Sequence, residues 1–294
     1  AINSPTYAAG MIFVGLANGC VQAFDAVTLE SLWLYRDPLG GQPNCPLVYH
    51  DGYLYTGFWN SEVGDANFVC LSVTDEDPDS SSEQKLATWR FTSPGGFYWA
   101  GAYVCDDYLL VGTDDGKAGY TTGFGRFLSL DPMTGRLLDS IDLPDPGDAR
   151  SSVAFVPDGD GAGTAYFTTK GGYFYTVHAE SDGSFTPGSF RSLRLYNYSE
   201  DVENPPMSTS TPTVYNGRAY VGVSGVGQFS PYSGHNITVI DLADLSIAYT
   251  VRTQGYPQSS GLLTTAYEDQ EDGAVYVYFF DNYLPGKLRV LRDR

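Results

Sequence analysis

The sequence predicts an all-β fold, a β-propeller of four-stranded antiparallel blades with six blades visible, and three observations predict it. First, a turn-plus-strand segment recurs six times, as AAGMIFVG, HDGYLYTG, CDDYLLVG, GAGTAYFT, YNGRAYVG and EDGAVYVY. Second, anchored on Gly10, Gly52, Asp107, Thr164, Gly217 and Gly273, these segments step by 42, 55, 57, 53 and 56 residues. That is the spacing of propeller blades, each a sheet that cannot bury both faces alone. Third, 34 Gly, 17 Pro, 23 Tyr and 16 Phe in 294 residues are a strand-and-turn composition, because aromatic rings suit a pleated surface while Gly and Pro set turns.

Each unit follows one order. A strand opening with Ser or Pro comes first (NSPTYA, NCPLVY, ARSSVAF, TSTPTVY, SSGLLTTAY). Tight turns of the D-G and N-G kind then lead into the second strand, the strongest short hairpin signal. A variable loop separates this from a third strand (VQAFDA, FVCLSVT, RFLSLDPMTG, FYTVHAE, ITVIDLA, LRVLRD), and a fourth carries a large residue (SLWLY, LATWRF, RLYNY, IAYTV). The innermost strands are expected to start near Pro5, Pro46, Gly101, Ser152, Pro212 and Gly261. Residues 1–294 form one propeller domain, with blades beginning near residues 1, 43, 98, 149, 208 and 257. The sixth unit reaches Arg294 after its third strand, so the expectation is a ring of six, or of seven or eight where further blades belong to it. Trp33 and Trp89 fall on the fourth-strand position and should pack between neighbouring blades. Cys45 and Cys70 should be buried as small hydrophobes. The run TDEDPDSSSEQ, Thr74 to Gln84, reads as a solvated loop between third and fourth strands.

Residues Gly10 to Trp33, GMIFVGLANGCVQAFDAVTLESLW, and Leu128 to Gly135, LSLDPMTG, resemble the repeat of the PQQ-like (quinoprotein alcohol dehydrogenase-like) β-propellers, and the resemblance covers essentially the whole chain. It implies the fold and leaves function open, since that family includes cofactor-dependent dehydrogenases, outer-membrane assembly scaffolds and surface proteins; the non-catalytic surface branch is expected here. The PQQ enzymes share adjacent cysteines bridged over the quinone, with Glu, Asn and Asp ligands for calcium. This chain has four cysteines, the nearest 25 residues apart. No cofactor is therefore expected, PQQ is not expected to bind, and nothing in the sequence supports a bound calcium.

The charge balance narrows the partners. Thirty-five acidic against 16 basic residues give a net charge of −19, which repels a phosphate backbone, so nucleic acid is excluded. No apolar run is long enough to span a bilayer, so membrane insertion is not expected. The opening AINSPTYAAG has neither an initiator Met nor a basic-then-apolar leader, which reads as a mature or trimmed chain. An acidic, Tyr-rich, Lys-poor monomer at the cell surface or outside the cell is the expected setting. There is no G-x-S-x-G elbow, and the three histidines fall in separate units, with His178 reading as a packing residue. Asp158-Gly-Asp-Gly161 lacks the later oxygens of a calcium loop and reads as an acidic turn.

Trp59, in GFWNSEVGD, and Trp99, in GGFYWAG, fall off the repeat pattern. They lie in the two loop classes, between second and third strands and ahead of innermost strands, that meet on one face around the central channel. The candidate ligand-binding residues are Trp59, Asn60, Tyr98, Trp99, Asp114, Arg150 and Gln258. The same face should also gather Asn18, Gln42, Asn44, Phe58, Phe97, Asp115 and Lys117, and further round Tyr120, Lys170, Tyr232, His235, Asn282 and Tyr283. Flat aromatics interleaved with amides and carboxylates suit sugars, whose C–H faces stack on rings while their hydroxyls need planar partners. The expectation is a binding module for a carbohydrate or protein partner. The alternatives are a glycan-active enzyme with carboxylates at the channel mouth, and an assembly scaffold without a small ligand. No metal ligand set and no catalytic residue is identified.

Overall fold

The computed structural model of the chain describes residues 3–81, 83–119, 123–197, 205–227, 230, 232–270 and 272–294. Its strands fall into six sheets taken in chain order. The first is β1 (Thr6–Ala8), β2 (Met11–Leu16), β3 (Cys20–Asp25) and β4 (Ser31–Arg36). The second is β5 (Val48–His50), β6 (Tyr53–Gly57), β7 (Ala66–Ser72) and β9 (Trp89–Ser93), with β8 (Glu83–Lys85) lying between the last two in sequence. The third is β10 (Tyr103–Val104), β11 (Leu109–Gly112), β12 (Arg126–Leu130) and β13 (Leu137–Asp142). The fourth is β14 (Ala154–Gly159), β15 (Ala162–Thr168), β16 (Tyr173–Ala179) and β17 (Arg191–Arg194). The fifth is β18 (Thr213–Tyr215), β19 (Arg218–Val223), β20 (Asn236–Asp241) and β21 (Ser246–Arg252), and the sixth is β22 (Leu262–Thr264), β23 (Val275–Asp281) and β24 (Lys287–Asp293).

Local chemistry explains the hairpins. Asp51 and Gly52 take φ of 40° and 83°, Asn216 and Gly217 take 44° and 75°, and Asp272 and Gly273 take 54° and 77°. Two successive left-handed residues make the primed turn whose twist matches paired strands, which is why D-G and N-G stand there. A side chain at Gly52, Gly217 or Gly273 would meet nothing within 4 Å, so the backbone angle, not crowding, is what selects glycine.

Five buried apolar clusters fill the spaces between successive blades. Trp33 and Trp89 sit in the first two of them, and each also donates its indole N–H to a carbonyl outside its own strand group, Trp33 to Val73 at 3.3 Å and Trp89 to Pro132 at 2.8 Å. Cys45 and Cys70 are fully buried thiols. The inner blades bury both faces, with every residue of β11 and residues 219–223 of β19 sequestered. The two outer blades bury one face each. In β2, Phe13 is buried while Ile12 and Val14 are half-buried; in β23, Val277 and Phe279 are buried while Phe280 is 60% exposed beside Leu288, 57% exposed on β24. None of the five clusters joins the sixth blade to the first among the described residues.

Two sequence readings need correction. The acidic run after Thr74 is not only a solvated loop: it closes with β8, which pairs in parallel with β4 and adds a fifth strand to the first blade. Lys85 anchors it, buried with its ammonium 5.4 Å from the Trp33 ring centroid, 3.2 Å from Glu83 and bonded to the Thr74 carbonyl. A lone Lys after Glu-Gln gives no sign of this in sequence, because its apolar stem finds its surface only when two blades meet. The fourth strand of the fourth blade is Arg191–Arg194, so RLYNY begins at that strand's end.

Candidate functional site

The loop face is stitched by the backbone before any side chain is considered. Trp59, in the β6–β7 loop, exchanges both hydrogen bonds with Gln42, which leads into the second blade. Phe97, leading into the third blade, donates to the Phe58 carbonyl at 2.9 Å, and Asp114, just past β11, donates to Gly96 at 3.0 Å. Ala149 donates to Thr113, and Lys170, just past β15, donates to Asp148. These links make the two loop classes of three blades a continuous rim. They also set the spacing of the side chains that rise from it.

On this rim three carboxylates from three blades converge on one guanidinium. Arg150 Nη2 lies 2.5 Å from Asp114 Oδ2, 2.8 Å from Glu62 Oε2 and 2.9 Å from Asp148 Oδ2, and its Nε donates to Asp114 Oδ1 at 3.1 Å. Lys170 Nζ stands 3.3 Å from Asp148 and 3.6 Å from Glu62. Trp59 Nε1 donates to Asp114 Oδ2 at 3.0 Å, and the Asp115 N–H donates to Asp148 Oδ1 at 3.0 Å. Burial, and after it the charge of Asp148, raise the Asp114 pKa well above the usual carboxylate range, with Arg150 pulling the other way. Burial works against the charge on Arg150, yet the charges of Asp114 and Asp148 leave its pKa above the ordinary value. Glu62, Asp114 and Asp148 offer oxygens within 4.8 Å of one another, a spacing that could hold a metal ion. The guanidinium already fills that position, so the buried Asp114 and Asp148 and the half-exposed Glu62 form an ion cluster with its own counter-cation.

A row of tilted aromatic rings lies against this cluster. The ring centroids of Trp59 and Tyr98 are 4.8 Å apart and those of Tyr98 and Trp99 4.3 Å apart, with the Arg150 guanidinium 4.6 Å from the Tyr98 centroid. Trp99 adopts φ of 60°, a region bulky residues avoid and one that recurs at functional sites. It faces Thr209, Gln258 and Ser259 across a channel cavity of about 350 Å³. Neither the Trp99 indole N–H nor the Gln258 amide has a hydrogen-bond partner among the described residues, whereas Thr209 is bonded to Tyr256.

Five of the candidates, Trp59, Tyr98, Trp99, Asp114 and Arg150, are thus one contiguous group, and Gln258 shares the channel cavity with Trp99. Asn60 stands on the exposed rim, where its Nδ2 donates to the Leu39 and Asp65 carbonyls and braces the loop. Phe58 and Phe97 point inward and are core residues. His235 is also buried, accepting from the Gly225 N–H and bonded to the Ser230 carbonyl. Tyr120 lies outside the described residues. Glu62 and Asp148 were missed by sequence reasoning; Asp148 stands two residues before Arg150 in PGDAR, a signal that gains meaning only once three blades are set side by side. His178 is held by Thr186 and Asp158 as a packing residue.

No two cysteines of this chain are adjacent, so the bridge that the PQQ enzymes share over the quinone has no counterpart here. The cysteines are free, Cys20 buried in the first blade and Cys45 and Cys70 in the cluster between the second and third, and the mouth carboxylates that could face calcium are bound to Arg150 and Lys170.

No protein-family model matches the chain, and no curated protein is detectably similar in sequence. Solved structures are similar in fold. BamB from Moraxella catarrhalis aligns over 97% of this chain and 73% of its own, at 13% identity and a TM-score of 0.57. Sqt1 of Saccharomyces cerevisiae aligns over 98% and 72%, at 10% identity and a TM-score of 0.61. The quinohemoprotein alcohol dehydrogenase ADHIIG from Pseudomonas putida HK5 aligns over 95% of this chain and 62% of its own, at 11% identity and a TM-score of 0.60. The chain therefore has the β-propeller fold that its repeats predict. At such identities the likeness carries the fold alone.

Proposed function

We propose that the protein is an extracellular or cell-surface recognition module that binds a carbohydrate on the loop face of its propeller. The observation that carries this reading is Trp99: a strained, half-buried ring at the channel, packed at a tilt against Tyr98, sharing a cavity with Gln258, both with unused hydrogen-bonding groups. A ring face beside a free amide matches the two surfaces of a sugar, its C–H face and its hydroxyls. The mouth carboxylates are tied to Arg150 and Lys170, which argues against the glycan-active enzyme, whose acid and base need a free proton-transfer path. A glycan-array screen of the intact chain tests the reading, followed by titration with the Trp99→Gly and Gln258→Ala variants. A bound glycan whose affinity falls about tenfold or more in Trp99→Gly, within the range of interface residues that matter, is the expected outcome. Binding of a protein partner with no glycan retained would replace the carbohydrate by a protein ligand.

A further inference from the structure

A second, larger hollow opens on the same face, between the first and second blades. Its volume is about 690 Å³, and it is lined on its polar side by Asn18, Gln42, Asn44 and Asn60, with the Trp59 ring as one wall. Val14 and Leu16 supply apolar surface. None of its eleven lining residues is ionisable, on a chain carrying 35 acidic and 16 basic residues. Two features show that the hollow is built. Trp59 is fixed in orientation by its indole bond to Asp114, so its ring keeps one attitude to the cavity. Asn44 is 0% exposed, its Nδ2 donates to Gln42 Oε1 at 3.1 Å, and its Oδ1 has no partner. A buried amide oxygen without a donor is a standing penalty that an arriving hydroxyl or amide N–H relieves.

We propose that this hollow is a subsite for a neutral glycosyl residue, a hexose or N-acetylhexosamine unit, of the glycan bound at the mouth; it rests on the reading that the loop face binds carbohydrate. Amides both donate and accept, as hydroxyls do, whereas a carboxylated or sulfated sugar would meet no cation here. Hydroxyls of the sugar lie along the amide side and its C–H face lies on Trp59.

The test is calorimetric titration of the intact chain with neutral trisaccharides of glucose, mannose and N-acetylglucosamine, and with sialyllactose as the anionic comparison. Gln42→Ala alters an exposed side chain, Asn44→Leu removes the unpaired amide while keeping bulk, and Trp99→Gly reports on the channel. At least one neutral trisaccharide is expected to bind and to shift the Trp59 emission, with about tenfold weaker affinity in Gln42→Ala and tenfold or more in Asn44→Leu. Should Asn44→Leu fail to fold, Gln42→Ala decides alone. Loss of affinity in Trp99→Gly with none in Gln42→Ala leaves the mouth reading standing and removes the subsite. Binding of sialyllactose with no neutral sugar bound overturns the subsite as well. Absence of binding to any sugar overturns both readings.

Discussion

The two sides of the loop face are built by opposite means. Between the second and fourth blades, Arg150, Lys170, Asp114 and Asp148 are buried and, with the half-exposed Glu62, satisfy one another in a dense charged cluster. Between the first and second blades, four amides and an indole line an uncharged hollow in which a buried carbonyl oxygen is left unpaired. The charged side uses up its hydrogen-bonding capacity internally, so it serves as a rigid mount. The neutral side and the neighbouring channel keep theirs, which is why the proposed ligand is assigned to them. Trp59 belongs to both, bonded by its N–H to the cluster and presenting its ring to the hollow.

The sharpest way to break this comparison is Arg150→Met, which strands three carboxylates with only Lys170 beside them. Removing one partner of a buried ion pair costs about 3–5 kcal/mol, and chemical denaturation should show a loss of that size. The variant should also gain a thermal shift on adding calcium that the parent lacks, because its oxygens, within 4.8 Å of one another, are then free to hold a cation. A melt equal to the parent's would mean the cluster is no mount at all.

Trp59→Phe is a subtler cut, keeping the ring while deleting the N–H that Asp114 accepts. It should cost about 1–3 kcal/mol, the penalty for an unmet buried polar group, measured in the same denaturation series. Trp59 is therefore expected to carry structural weight although it stands in a loop. Its bond to a carboxylate buried beneath it is the reason.

His235 extends the comparison to the fifth blade. Burial lowers its pKa below the ordinary 6.5, with the bond to the Ser230 carbonyl acting the other way. The unfolded chain takes up a proton below that value which the folded chain refuses. The contribution of His235 to stability is therefore complete above about pH 6.5 and is lost as pH falls toward the folded pKa, by at most about 1.4 kcal/mol per pH unit. Midpoints measured at pH 7.5 and pH 5 should fall further in the parent than in His235→Gln; equal slopes would show that the imidazole is not held neutral.

The smallest expected effect is Trp99→Gly. Glycine accepts φ of 60° without strain, and the relief offsets much of the lost contact with Tyr98, so stability should change by about 1 kcal/mol or less. A loss of several kcal/mol would make Trp99 a core residue and place the ligand elsewhere.

What the sequence determined by itself is everything that depends on neighbours along the chain. Asp51-Gly52 and Asn216-Gly217 announce primed turns because only residues tolerant of left-handed φ close them. The step between Gly10, Gly52 and their successors announces blades, and Trp33 and Trp89 announce the seams between them. Five of the seven candidate residues could be gathered on one rim because their loop class follows from strand order. What only the tertiary structure decided depends on groups far apart in sequence. Arg150 meets Asp114 and Glu62 at separations of 36 and 88 residues, and no local pattern carries such a meeting. Phe58 and Phe97 share loops with Trp59 and Trp99, yet they turn into the core, since the direction of a loop side chain is set by the blade it packs against. Lys85 and its strand follow the same rule, because a charged side chain is buried only where a neighbouring surface covers its stem and an acid meets its head.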